Sequence, residues 1–108
     1  MEVRTGEWID INGTSLQGYI IIPYETIAAK LGAPTYVECD PYAKVNWEWV
    51  LKFEDDHEEP VIATIYNWKT GHWATRPEQI DEWHIGGHTP KAVELVRTLL
   101  AKVYAAAA

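Results

Sequence analysis

Strict alternation of apolar and polar side chains marks residues 46–53, NWEWVLKF, as a β-strand with one apolar face. The large side chains of that face are Trp47, Trp49, Leu51 and Phe53. Residues 54–59, EDDHEE, are typical of a turn, and residues 60–69, PVIATIYNWK, are rich in the β-branched and aromatic side chains that strands prefer. Because strands joined by a short turn pair in antiparallel fashion, the segment predicts a hairpin with one face to be covered.

The second strand of this hairpin carries bulk on both faces. One face of the strand carries Val61, Ala63 and Ile65. The opposite face carries the large side chains of Ile62, Tyr66 and Trp68. A strand of this kind is either covered on both faces or presents one face for binding.

Two strands and a helix are predicted before this hairpin. Residues 6–13, GEWIDING, end in Asn12-Gly13, the dipeptide most typical of a hairpin turn, and residues 15–22, SLQGYIII, are the expected partner strand. Residues 24–31 have helical apolar spacing and stop before Gly32, which suits a left-handed C-cap.

A strand and a helix are predicted after the hairpin. Residues 80–85, IDEWHI, alternate like a strand, which Gly86-Gly87 is expected to end. Thr89 is the expected N-cap and Pro90 the first residue of the last helix. The apolar stripe of that helix is Val93, Val96, Leu99, Leu100 and Val103.

The order of these elements predicts a small α+β domain. It consists of a ββα unit, a three-stranded antiparallel meander and a long C-terminal helix packed on the sheet. Since 108 residues are too few for two cores, we expect a single domain over residues 1–104. The closing residues 105–108, AAAA, are expected to be a disordered or artificially added tail.

The charge of the chain excludes some functions. Nine Lys and Arg residues against sixteen Asp and Glu residues cannot form the basic stripe that phosphate binding needs, so we expect no direct nucleic-acid binding. No apolar run is long enough to span a membrane, and no signal-peptide pattern is present, which favours a cytoplasmic protein. The predicted turn carries five clustered carboxylates. Four of them, Asp55, Asp56, Glu58 and Glu59, are candidate partner-binding residues. They either attract a basic partner by imitating nucleic-acid phosphates or only keep the protein in solution.

No catalytic or metal site is indicated. His84 and His88 share a face only on a helix, which Gly86-Gly87 opposes, and neither they nor His72 have a cysteine or carboxylate at the spacing of a zinc site. Cys39 has no helix start or glycine pair around it that would activate a thiol. We therefore expect a protein that is not an enzyme and has no cofactor.

The aromatic residues after the hairpin give a candidate contact patch. Tyr66 and Trp68 lie in the phase opposite to the predicted core, and Trp73 lies on a loop beside Arg76. Tyr, Trp and Arg dominate the energetics of protein interfaces. The competing interpretation is that one helix covers each face of the sheet and buries them all.

Most of the chain, residues 14–103, also shows a family resemblance. The segments that carry it are TSLQGYI, YETIAAKLGAPT, WEWVLKF, ATIYNWK and EWHIGG, in that order. Together they resemble a family of small accessory proteins in tailed-phage genomes, most of them hypothetical. The turn EDDHEE departs from the tighter acidic-Gly turn of that pattern. The resemblance brings no catalytic residues and implies a phage protein made inside a bacterial cell.

Two functions follow as hypotheses. The first is a non-enzymatic module that binds and inhibits or modulates a bacterial host protein of defence or transcription, in the host cytoplasm, through exposed aromatics and the acidic turn. The second is a protein that sequesters a nucleotide or signal by stacking it on Trp and Tyr beside Arg76 or Lys69. A flat patch favours the first and a pocket the second; a virion or assembly component is a further alternative.

Overall fold

A computed structural model describes the backbone of residues 1–107 and the side chains of residues 1–101. Its strands are β1 (Glu2–Thr5), β2 (Ser15–Ile21), β3 (Tyr36–Val37), β4 (Trp47–Asp55), β5 (Glu58–Tyr66) and β6 (Glu82–Gly87). The α-helices are α1 (Tyr24–Leu31) and α2 (Lys91–Ala107), and a 3₁₀ turn spans Pro77–Gln79. The predicted α+β class with a helix packed on an antiparallel sheet is confirmed.

All strands belong to one antiparallel sheet. The order is β1-β4-β5-β6-β2, and the short β3 also pairs with β4. Strands β4, β5 and β6 are neighbours in sequence and in space. The outer strands β1 and β2 therefore lie at opposite edges, although they follow one another in the chain.

The predicted N-terminal hairpin is wrong. Residues 6–13 form no strand, and β2 pairs with β6 instead of with the segment before it. Asn12-Gly13 does form a turn, closed by a 3.1 Å hydrogen bond from Thr14 N–H to the carbonyl of Ile11, but this turn joins no paired strands. The apolar side chains of the outer strands decide the pairing. Val3 of β1 lies opposite Phe53 of β4, and Ile20 of β2 lies opposite Trp83 of β6.

Both helices pack on the same face of the sheet. Ile27 of α1 joins Val96 and Leu100 of α2 in one buried cluster with the inward side chains of β4, β5 and β6. At its centre Trp49 and Trp83, both predicted to be in the core, meet edge to face at 5.3 Å. The predicted stripe of α2 is buried or half-buried from Val93 to Leu100; the side chain of Val103 and the predicted tail lie outside the described side chains.

The paired glycines are the last two residues of β6 and are paired with β5, so the strand includes them instead of stopping before them as predicted. Gly86 pairs with Thr64, and Gly87 with Ala63. A Cβ on Gly86 would come within 2.5 Å of the Thr64 hydroxyl, and one on Gly87 within 2.5 Å of the Ala92 Cβ. The glycines are thus explained by close packing against β5 and α2, and not by a turn.

Candidate functional site

The sheet face opposite the helices carries a row of large side chains across four strands. Glu48 pairs with Tyr66, Tyr66 with His84, and His84 with Tyr19. Residues that are directly opposite one another in antiparallel strands point to the same face. We call Tyr19, His84 and Tyr66 the aromatic row.

The alternation of each strand places these side chains outward. His84 lies between Trp83 and Ile85, which are fully buried under the helices, so its side chain points to the opposite face of the sheet. Tyr66 follows the buried Ile65 in the same way. On β2, Tyr19 and Ile21 point outward and are 45% and 78% exposed. The row therefore results from the same pattern that builds the core.

The rings of the row contact one another and Trp68. Tyr19 meets His84 edge-on at 4.8 Å between ring centroids, and His84 meets Tyr66 at 5.4 Å. Trp68 lies 6.1 Å from His84 with its ring nearly parallel, and 6.3 Å from Tyr66. Such pairs hold rings in fixed orientations while their outer surfaces stay available. The result is a continuous, ordered aromatic surface, with Trp68 40% exposed at its end.

The segment of residues 6–14 covers another part of the same face. It must cross the sheet, because it connects the two opposite edges. The Lys52 ammonium lies 5.5 Å from the ring of Trp8, and the Tyr36 hydroxyl donates a 3.4 Å hydrogen bond to the carbonyl of Glu7. Farther along, the ring of His88 is 2.9 Å from the carbonyl oxygen of Asn12. This crossing leaves the aromatic row open and limits the open face to the end of the sheet near Trp68.

Two lysines converge on the ring of Trp68. The ammonium groups of Lys44 and Lys69 lie 5.9 and 5.5 Å from its centroid, within the range of a cation–π contact. The N–H of Lys69 donates a 2.8 Å hydrogen bond to the carbonyl of Lys44, which brings the two loops together. Lys69 has φ of 54°, the left-handed region that side chains with a Cβ rarely adopt. Trp68 therefore has two positive charges within 6 Å of its ring, on an acidic chain.

Buried asparagines hold these two loops in place. The Asn67 side-chain oxygen accepts hydrogen bonds from the N–H groups of Asn46 and Trp47, at 2.7 and 2.9 Å. Its amide donates to the Asn46 side chain and to the Thr70 hydroxyl. The Asn46 amide donates to the carbonyls of Glu38 and Asp40. Because each of these bonds satisfies a buried or half-buried polar group, the network fixes the loop that carries Trp68 and Lys69.

Burial shifts the titration of groups in the row. It lowers the pKa of His84, although the nearby Glu82 partly opposes this. It raises the pKa of Tyr66, with smaller contributions from the charges of Glu48 and Tyr19, and burial alone raises the pKa of Glu48. His84 and Tyr66 are consequently neutral near pH 7. In the neutral state both rings can form aromatic contacts and hydrogen bonds.

The structure brings together some of the predicted site residues. Tyr66 and Trp68 are in contact, and the alternative that one helix buries each face is wrong. Trp73 is 50% exposed but forms none of the aromatic contacts of the row among the described residues. Arg76 lines a separate groove of about 530 Å³ with Cys39 and Trp47.

The predicted acidic residues lie at the other end of the hairpin. Asp55, Asp56, Glu58 and Glu59 form the tip between β4 and β5. At about 3.3 Å per residue, the eight steps along β5 from Glu58 to Tyr66 place the tip about 26 Å from the aromatic row. The tip and the row are therefore two separate features of one face of the hairpin.

Sequence reasoning missed three members of the site. His84 was considered only as a metal ligand, although its position between Trp83 and Ile85 already placed it on the outer face. Tyr19 had the same signal on β2. Lys44 had none, because hydrogen bonds between two loops, including the one to Lys69, bring it to Trp68. Within residues 1–101, no three His, Cys, Asp or Glu side chains are grouped so that they could hold a metal ion.

Comparisons with protein-family models, with curated proteins and with solved structures found no match to this chain. Among the described residues, no helix is both long enough and apolar enough to cross a lipid bilayer. The chemistry and geometry of the open face are therefore the basis for assigning a function.

Proposed function

We propose that this protein is a non-enzymatic binding module that attaches to a partner protein through the open face of its sheet. The observation that carries the proposal is the aromatic row, left uncovered because both helices pack on the other face. An antiparallel sheet with one solvated face normally carries polar side chains there. Here Tyr19, Tyr66 and Trp68 occupy it, together with the exposed Ile21.

The shape of the face supports a protein partner over a small ligand. Small molecules bind in cavities that cover most of their surface. The groove of about 560 Å³ includes Tyr19 and Ile21 at one edge of the open face. Neither this groove nor the one of about 530 Å³ is lined by Tyr66, Trp68 or His84. These three side chains lie on the surface of the sheet, where a flat partner can cover them.

The energetics of such a contact are favourable. Tyr and Trp contribute a large apolar area with few rotatable bonds, so little conformational entropy is lost when they are covered. Contacts within the row hold Tyr66 and His84 in place before a partner arrives. A standard interface covers about 800 Å² on each partner, which is enough to extend from the row over the crossing segment of residues 6–14 toward the acidic tip. The tip then contributes charge at the rim.

The resemblance to tailed-phage accessory proteins indicates where the partner belongs. We propose a bacterial host protein, bound in the host cytoplasm and inhibited or modulated by this contact. The acidic tip can imitate nucleic-acid phosphates toward a basic groove of that protein.

Site-specific photo-crosslinking tests the proposal. A benzoyl-phenylalanine at Ile21 reports on the open face, and the same group at Thr98, exposed on α2, is the matched control. In bacterial cells we expect one crosslinked partner from Ile21 that is absent from Thr98 and is lost when Tyr66→Ala is added. Equal crosslinking from both positions, or a product made only of two copies of this chain, contradicts the proposal.

A further inference from the structure

We infer that the Trp68 end of the open face binds an acidic peptide segment of the partner, whose carboxylates pair with Lys44 and Lys69. The inference rests on the proposed function and specifies the chemistry of the partner. It concerns one end of the open face, beside the aromatic row.

The charge pattern is the first argument. The chain has sixteen Asp and Glu residues against nine Lys and Arg residues, so most cations could have a carboxylate partner. Within the described side chains, the ion pairs are those of Arg4 with Glu2 and Glu54. Lys44 and Lys69 instead lie beside the same indole ring. Two like charges held together without a carboxylate are what a site for an anion needs.

The backbone is the second argument. Lys69 is the one non-glycine residue with positive φ among the described residues. Glycine would adopt this conformation without the steric cost of a Cβ. A lysine in its place keeps an ammonium group over Trp68 at the expense of backbone strain. Strain of this kind concentrates at functional sites, and here it coincides with the paired charges.

The surrounding residues favour an acidic peptide over other anions as the ligand. A nucleotide needs a cavity around its base, whereas an extended peptide can lie along a flat sheet face. Glu48 lies directly opposite Tyr66 and repels negative charge at that point of the row. Glu82 lies two residues from His84 on the Trp68 side, where Lys44 and Lys69 supply the positive charge that attracts a carboxylate. Acidic side chains of the ligand therefore lie against the two lysines, and its neutral, apolar side chains cover Tyr66 and Tyr19. The arrangement sets both the composition and the direction of the peptide.

Titrations followed by ¹H–¹⁵N NMR test this inference. The probe is a capped peptide with a run of glutamates followed by alternating leucine and phenylalanine. The same peptide with lysines in place of glutamates, and ATP, are the comparison ligands. We expect the glutamate peptide to shift the amide signals of Lys44 and Lys69 and the indole signal of Trp68 in a saturable way. The K44Q/K69Q variant should raise its Kd by roughly tenfold or more, and added salt should weaken binding.

A matched control separates local from general charge effects. K30Q/K91Q removes the same charge from exposed lysines outside the open face and should bind the glutamate peptide like the parent. Equal affinity of K44Q/K69Q and the parent, or tighter binding of the lysine peptide, contradicts the inference. Tighter binding of ATP with the same signals shifted replaces the peptide with a nucleotide and also overturns it.

The crosslinking experiment distinguishes this inference from the proposed function. If Y66A abolishes the crosslink from Ile21 and K44Q/K69Q also reduces it at least severalfold, both stand. If Y66A abolishes it and K44Q/K69Q does not change it, the open face binds a partner but the acidic segment is wrong. If neither variant changes it, both are wrong.

Discussion

The backbone N–H of Lys69 donates a 2.8 Å hydrogen bond to the carbonyl oxygen of Lys44, and this bond places both ammonium groups within 6 Å of the Trp68 ring centroid. Lys69 has a left-handed backbone, with φ of 54°. A conformation that suits glycine better than lysine is thus maintained by a loop fixed through Asn46 and Asn67. The stability of variants at this position can reveal how much the conformation costs.

We expect Lys69→Gly to be as stable as the parent or more stable by up to about 1 kcal/mol, because relief of the Cβ strain offsets the added freedom of the unfolded chain. Lys69→Val should lose about 1–2 kcal/mol, since a β-branched residue fits this region worst. Urea unfolding followed by tryptophan fluorescence gives both free energies. A glycine variant less stable than the valine variant would show that the lysine side chain, and not the backbone, stabilises this loop.

Gly87→Ala should destabilise the protein by about 1–3 kcal/mol, because the added Cβ meets the Cβ of Ala92 at 2.5 Å and pushes α2 away from the sheet. The second variant, Ala92→Gly, removes that contact but lowers helix propensity. The double variant should lose less free energy of unfolding than the two single variants lose together. A double-mutant cycle measures this coupling directly. Strict additivity would mean that the carbonyl of Ile62, at 3.1 Å, is the obstacle instead.

Trp49→Phe should cost about 1–2 kcal/mol more than Trp83→Phe, although both side chains are fully buried and both changes remove a similar volume. The Trp49 indole donates a 3.0 Å hydrogen bond to the carbonyl of Gly32. Among the described residues, the Trp83 indole N–H has no acceptor, so its removal eliminates a buried unpaired donor. Thermal unfolding of both variants checks the order, and equal losses contradict it.

Local pattern was enough to predict the elements whose signals lie within one segment. The alternation of residues 46–53 gives β4, and the cap at Gly32, with φ of 80° and its N–H bonded to the carbonyl of Ala28, ends α1 as predicted. Such signals are set by neighbours a few residues away. The same holds for Thr89, whose hydroxyl accepts a 3.3 Å hydrogen bond from Lys91 N–H at the start of α2.

Features set by distant partners could not be predicted. Asn12-Gly13 forms a turn, but β2 pairs with β6, more than sixty residues away, because Ile20 and Trp83 meet on the core face. Likewise, Tyr66 could be placed outward from its own strand, whereas the approach of Lys44 to Trp68 depends on contacts between two loops. Of the candidate site, Tyr66, Trp68 and Lys69 were therefore named from the sequence, whereas His84, Tyr19 and Lys44 were not.

The stability of the folded state should fall as the pH falls below about 6.5, in part because of His84. Burial holds the pKa of His84 below its ordinary value, so the unfolded state takes up the proton first. The contribution is present above pH 6.5 and is lost as the pH falls toward the folded pKa. Because the ring is only half-buried, the effect should be below about 1 kcal/mol.

His84→Gln should flatten this part of the pH profile, whereas the exposed His57→Gln should leave it unchanged. Glu48 acts in the opposite direction, since its pKa is raised in the folded state. Its contribution is greatest below pH 4.5 and falls as the pH rises through the folded pKa. Urea unfolding of the parent and both variants, at about pH 7.5 and about pH 5.5, isolates the histidine. If the free energy of unfolding changes with pH equally in the parent and in His84→Gln, the pH dependence comes from other groups.

The last prediction separates the aromatic row from the acidic tip. If the open face binds the partner, Tyr66→Ala and Trp68→Ala should each weaken binding by about 2 kcal/mol or more, because covered aromatic side chains dominate interface energies. Trp73→Ala should change it by less than about 0.5 kcal/mol if the contact is confined to the row, since Trp73 forms none of the row's contacts. Circular dichroism is the control that each variant stays folded.

Neutralising the four carboxylates of the tip should change the association rate of the complex. Asp55, Asp56, Glu58 and Glu59 lie about 26 Å along β5 from Tyr66, so they guide the approach of a basic surface without forming the centre of the contact. The variant with Asn and Gln at these positions should associate more slowly, and the difference should shrink as ionic strength rises, while the dissociation rate changes little. Surface plasmon resonance with the crosslinked partner, at low and high salt, measures both rates. A changed dissociation rate with an unchanged association rate would place the tip inside the interface. Loss of binding in the Trp73→Ala variant would place the centre of the interface on the loop that carries Trp73 and not on the aromatic row.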